Sequence, residues 1–168
     1  MRQFLAYLKI SLTDTLAYRG DIFLYTISGV ILPITNLIVW INTSSDQTAF
    51  FIQYYFFLLI VGLWCSNWGS YFISRDIRLG NISRYLIKPS PFILYQIGNN
   101  VGEKVMKSAF LIPVLIIFSL IFRPEIPIAS WYIWFIFVFS TLVAGSIAFV
   151  IDFLLGISAF WLQDSLAL

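Results

Sequence analysis

Residues 126–151 read IPIASWYIWFIFVFSTLVAGSIAFVI, without one charged side chain. At about 1.5 Å per residue, the part from Trp131 onward is already long enough, as a helix, to cross the roughly 30 Å of hydrocarbon in a bilayer. Working outward, the other charge-free runs are 22–45, 47–74 and 108–122, followed by a last apolar piece at 153–163. Residues 114–122, VLIIFSLIF, lack the alternation of apolar and polar faces that marks a membrane strand, so helices are expected and a barrel is not. The 108–122 run covers only roughly 22 Å as a helix. Lys107 and Arg123 at its ends can snorkel, however, and Val105 and Met106 extend its apolar register. The expected spans are therefore 22–42, 51–73, 105–123 and 131–155, in an all-α polytopic membrane protein. Pro33 and Pro113 fall inside spans, where neighbouring helices can satisfy the carbonyls they free; kinks are expected there rather than breaks.

Composition agrees. The 168 residues are 60% hydrophobic, 19% aromatic and 11% charged, where a soluble domain carries roughly a quarter charged residues. Disorder is excluded, and a net charge of +2 is too small to argue for nucleic acid. The chain has no His, which removes the commonest metal ligand, the usual general base and every His-containing triad. Cys65 has no partner for an intrachain disulfide and sits in an apolar run, where helix packing is expected of it. No Gly is followed by Lys, so there is no phosphate-binding loop and no cofactor is expected. A membrane-embedded enzyme is the least supported class.

The positions of the charges set the orientation. Arg2, Lys9 and Arg19 precede the first run, and Arg75, Arg78, Arg84, Lys88, Lys104 and Lys107 lie between the second and third; only Arg123 falls on the other side. The positive-inside rule then makes the N-terminus and the central loop cytoplasmic. Trp40, Trp131 and Trp134 would lie toward the outer interface, with Trp64, Trp68 and Trp161 deeper or toward the inner one. The first run begins too late and is too long for a cleaved signal peptide. Ahead of it, Leu5, Leu8, Leu12 and Leu16 form a helical stripe over 1–20, expected on the inner membrane surface either as an elbow feeding the first span or as a plain anchor.

Several polar residues interrupt the apolar runs. Asp152, counted along a helix from Trp131, falls roughly 31 Å away at the inner headgroups. An interfacial position or a pairing with a cytoplasmic Lys or Arg is expected of it, with ion coupling as the alternative. Gly98 and Gly102 have the spacing of a helix-dimerisation motif, but beside Asn99, Asn100 and Glu103 they read as a turn or helix start. Ser66, Asn67, Gly69 and Ser70 read as a small polar patch for close helix packing rather than a cavity wall. Tyr54, Tyr55, Phe56 and Phe57 read as lipid-facing bulk.

The loop expected at 75–104 is far longer than a tight turn. Leu79, Ile82, Tyr85 and Leu86 would form an apolar stripe beside Arg78 and Arg84, with Gly80-Asn81 breaking or capping it upstream and Lys88-Pro89 ending it. The residues alone allow three readings: a solvated loop that holds topology, a docking helix gripped in a partner's groove, or adhesion to anionic lipid.

The run Asp76-Ile77-Arg78-Leu79-Gly80-Asn81-Ile82, followed by Leu86-Ile87-Lys88-Pro89, resembles the cytoplasmic-loop signature of permease subunits of ATP-binding-cassette (ABC) transporters of the type-2 exporter class. Leu16-Ala17-Tyr18-Arg19-Gly20-Asp21-Ile22-Phe23, Gly102-Glu103-Lys104 and Gly156-Ile157-Ser158-Ala159-Phe160-Trp161 resemble further pieces of that family in the same order. The resemblance implies a pore-forming permease subunit in the cytoplasmic membrane of a prokaryote, with no ATP site of its own. It implies an elbow helix over 1–20, a coupling helix in the loop after the second span, a separate cytoplasmic ATP-binding subunit, and a second permease subunit, identical or not, with lipid around them. Arg75, Asp76, Arg78, Leu79, Gly80, Asn81, Ile82, Leu86, Lys88 and Pro89 would then contact the ATPase. It also implies two further spans, so that the chain is truncated at its C-terminus, with 156–168 at the inner interface leading toward a fifth. The competing reading is a small multispan scaffold or assembly factor that binds a cytoplasmic protein or anionic lipid through the basic loop. The sequence points to no particular substrate.

Overall fold

A backbone in hydrocarbon must satisfy its own polar groups, which is why each charge-free run becomes a helix. The structure is a computed structural model that describes residues 2–88, 90–123 and 130–162, without the side chains of Arg2, Gln3, Ser45 and Leu86. In chain order it contains α1 (Arg2–Ala17), α2 (Arg19–Thr43), a 3-10 turn (Ser45–Gln47), α3 (Thr48–Cys65), α4 (Gly69–Arg78), α5 (Ser83–Leu86), α6 (Phe92–Ile121), α7 (Trp131–Ile157) and a final 3-10 turn (Ser158–Phe160). No strand occurs among the described residues. Four helical stretches are long and apolar enough to cross a membrane: Arg19–Thr43, Thr48–Arg78, Phe92–Ile121 and Trp131–Phe160. Pro33 and Pro113 lie inside α2 and α6, and both helices run on through them.

The four stretches run alternately in opposite directions, with Phe92 of α6 beside Phe153 of α7 and with Phe23, near the start of α2, beside Phe110 midway along α6. Leu37, Ile52, Tyr55, Phe56, Leu59, Leu111 and Phe118 form the buried core of α2, α3 and α6. Phe56 meets Phe118 at 5.7 Å between ring centroids, and Phe57 meets Phe137 of α7 at 4.9 Å. Tyr55 and Phe56 are thus core residues, against the expectation of lipid-facing bulk, and only Tyr54 of the four is exposed. The cause is the position of α3, which packs against α2, α6 and α7 and so has little free face.

Two departures from the sequence reading shape the rest of the bundle. First, α6 has 30 residues and begins at Phe92, so 92–104, expected in the loop, are helical. At about 1.5 Å per residue it is roughly 45 Å long, well over one hydrocarbon thickness. Its first half carries α1 alongside. Gly98 and Gly102, both buried, allow that approach: a Cβ on Gly98 would stand 3.0 Å from Tyr7 Cβ, and one on Gly102 would stand 2.9 Å from Ser11 Cβ. They are a helix-packing pair, not a turn. Of the polar neighbours that suggested otherwise, Asn99 is used across the contact, accepting from the Ser11 hydroxyl at 3.2 Å, while Asn100 bonds Asn67, between α3 and α4. The Tyr7 hydroxyl also bonds Ser90. The leucine stripe of α1 divides accordingly: Leu8 and Leu12 turn toward α6, while Leu5 and Leu16 stay exposed.

Second, the stretch Thr48–Arg78 is interrupted. α3 ends at Cys65, Ser66 is extended, and α4 starts at Gly69. Residues 163–168, expected to lead toward a further span, lie outside the described residues.

Candidate functional site

Arg75 and Arg78 stand exposed on the last turn of α4, where cations complement the helix dipole. Gly80, at φ +70, then reverses the chain. Its N–H donates to the Ile77 carbonyl at 3.1 Å and the Ile82 N–H donates to the Asp76 carbonyl at 3.2 Å, which satisfies carbonyls that a helix end leaves open. An added Cβ would meet nothing within 4 Å, so any penalty for substitution at Gly80 is one of backbone conformation alone. Gly80→Val is expected to lower stability by about 1–2 kcal/mol. Gly80→Asn should cost less, because Asn tolerates the left-handed region. Thermal unfolding of the two variants in detergent checks the order.

Beyond the turn, the Ser83 hydroxyl donates to the Gly80 carbonyl at 2.9 Å, and the single turn α5 follows. Two side chains pin this knob to the bundle. Ile82 is buried, and the Tyr85 ring packs on Tyr95 at 4.8 Å and Phe92 at 5.6 Å, both on α6. The Arg84 guanidinium lies 4.8 Å over the Tyr85 ring and donates to its hydroxyl at 3.0 Å. Tyr85 first, and then Asp76, hold the Arg84 pKa above its ordinary value. The Arg84–Asp76 pair, 3.6 Å apart and well exposed on the Arg side, adds little stability. The Lys88 ammonium sits 5.2 Å over the same ring.

The outward face is what remains. Leu79 is 62% exposed and Ile87 is 84% exposed, flanked by Arg75, Arg78 and Lys88. Of the residues named from the sequence, Arg75, Arg78, Leu79, Gly80, Asn81 and Lys88 are exposed, Ile82 turns inward, and Asp76 is half-buried. The helical stripe through Leu79 and Ile82 does not form, because the reversal at Gly80 breaks the register between them. Pro89 and the Leu86 side chain lie outside the described residues. Ile87 was missed by sequence reasoning.

Beneath the loop lies a polar seam. The Asn100 amide donates to the Asn67 carbonyl oxygen at 2.6 Å, and both oxygens of Asp152 on α7 accept from Ser70. Asp152 thus accepts two hydrogen bonds from a serine at the start of α4. The patch of Ser66, Asn67, Gly69 and Ser70 serves close packing, as expected. The cavity beside it, between Trp68, Asn99, Asn100 and Phe149, is about 20 Å³, room for one water rather than a substrate. Among the described residues no group of His, Cys, Asp or Glu could hold a metal ion.

The sequence model of a family described as ABC-2 family transporter protein matches residues 44–168, which contain α3 to α7 and the whole loop. No curated protein and no solved structure matches the chain.

Proposed function

Because the chain belongs to the ABC-2 family of transporter proteins and is a multi-pass membrane protein, we propose that it is the permease subunit of an ABC exporter, driven through the loop after α4 by a separate cytoplasmic ATPase. The observation that carries this is the exposure of two apolar side chains, Leu79 and Ile87, each next in sequence to an exposed basic residue, on a knob that Ile82 and Tyr85 tie to the bundle. A solvated connector has no need of such anchoring, whereas a coupling element must transmit force. Closure of two ATPase subunits would push on α5 and the end of α4, tilt α4 and α6, and switch the access of a pathway formed with a second permease subunit, identical or not. The N-terminus and the loop face the cytoplasm in this reading, in the plasma membrane of a prokaryote. In the sequence every basic residue except Arg123 lies before or at the start of α2 or falls from Arg75 to Lys107, which is the charge bias behind this orientation. Helix α1 is the elbow, its exposed Leu5 and Leu16 resting on the inner leaflet.

The test is affinity purification of the native complex from its own membranes, with and without Arg75→Glu together with Arg78→Glu. An ATPase is expected to co-purify with the unaltered chain, and charge reversal is expected to cut its retention about tenfold or more. Recovery of no ATPase from native membranes would favour a scaffold. Intact ATPase retention and transport in the variant would remove the loop from the interface.

A further inference from the structure

We infer that α4 is a hinged segment, latched to α7 by the Asp152 carboxylate, so that the loop and the inner end of α7 move as one body about a pivot at Ser66–Trp68. The pivot is a break in the helix. The Ser66 N–H closes α3 on the Gly62 carbonyl at 3.0 Å, Ser66 itself takes an extended conformation (φ −71, ψ 129), and regular helix resumes only at Gly69. Hinges are a few element-terminal residues that absorb a change in φ and ψ.

The first turn of α4 receives no cap from its own N-cap residue, Trp68. The cap comes from a residue 82 positions later in the chain: Ser70 N–H donates to Asp152 Oδ2 at 3.0 Å, and Ser70 Oγ donates to Oδ1 at 2.6 Å. A carboxylate at a helix N-terminus satisfies an open donor and meets the positive end of the dipole. The remaining contact is shaped for close approach. A Cβ on Gly69 would fall 2.8 Å from Asp152 Oδ2, and one on Gly156 would fall 2.9 Å from Ile73 Cβ and 3.0 Å from Ser70 Cα. Ser74 Oγ donates to the Gly156 carbonyl at 3.4 Å, and Ile73 and Ser74 are each only 1% exposed. So α4 is joined to α7 over two turns, while the three residues 66–68 separate it from α3. A push on the loop would therefore swing α4, with the inner end of α7 and the start of α6 that Tyr85 grips, relative to α3.

The latch does not depend on the permease reading, and it is tested first without any partner, by hydrogen exchange on the full chain in lipid nanodiscs. Asp152→Ala is expected to speed exchange of the 69–74 amides about tenfold, with 52–62 unchanged, and to speed alkylation of Cys65, the one cysteine, which borders the pivot. Asp152→Asn, which keeps an oxygen for the Ser70 N–H, should fall between. If Asp152→Ala does not insert, Asp152→Asn and Ser70→Ala carry the comparison, and each is expected to raise exchange in 69–74 alone. Unchanged exchange in 69–74, or an equal rise in α3 and α4, overturns the latch. In the assembled transporter, whose existence rests on the permease reading, Asp152→Ala should leave ATP turnover in place while transport falls. Loss of both in proportion would mark Asp152 as merely structural.

Discussion

Leu79→Asp combined with Ile87→Asp is expected to abolish retention of the ATPase subunit while leaving the helical bundle unchanged. Both side chains are largely exposed, and exposed substitutions away from special backbone positions usually change stability by less than about 0.5 kcal/mol. At an interface the position reverses. Burying one such side chain contributes about 1.5–3 kcal/mol, so losing both removes about 4 kcal/mol, which is about a thousandfold in affinity. The introduced carboxylates would be desolvated beside an apolar partner surface, which adds to the loss. Binding of the purified ATPase to the chain in nanodiscs measures this directly. Circular dichroism on the same sample confirms that the bundle is intact, and undiminished binding would mean that some other surface holds the ATPase.

The second large effect lies inside the bundle. Gly145→Val is expected to destabilise the protein by about 3 kcal/mol. A Cβ there would stand 2.9 Å from the Trp64 carbonyl oxygen, a backbone atom that cannot swing aside, so α7 must lift off α3. In a membrane, where the hydrophobic effect does not drive helices together, close approach through small residues is a main source of adhesion. The unfolding midpoint in detergent should fall by about 6–12 °C. Gly29→Ala and Gly62→Ala are the controls. Nothing lies within 4 Å of a Cβ at either position, so alanine there should be neutral or gain up to about 1 kcal/mol in helix propensity. If all three substitutions behave alike, the α3–α7 contact is not held by close packing at Gly145.

The four membrane stretches were legible because they depend on local facts, the absence of charge over a length that hydrocarbon dictates. The family was legible through the loop and its ordered companions, and the match over 44–168 bears that out. What was not legible depends on partners far away in sequence. Asn99 and Asn100 looked like turn residues because nothing local shows that one meets Ser11 and the other Asn67. Asp152 was expected at the interface or beside a basic side chain, and nothing local shows that the first turn of α4 supplies its hydrogen-bond donors. That first turn is open only because the chain breaks at Ser66–Trp68, where no proline announces a break. The start of α6 was within reach: Ser90-Pro91 before the apolar Phe92-Ile93-Leu94-Tyr95 is a helix-start signal, but Gln96, Gly98, Asn99 and Asn100 then break the apolar register.

The docking of α1 on α6 also sets an order of events during synthesis. Ser11 and Asn99 are 88 residues apart, and at a translation rate of about 5–20 residues per second the seat for α1 is made roughly 4–18 s after α1 itself. Throughout that interval α2 and α3 are already emerging, so α1 waits for its native neighbour until both have been made. Mutations at Gly98 or Gly102 would accordingly act late in biogenesis, after the first spans have formed, and their mark would be protein that inserts normally and is then cleared by quality-control proteases.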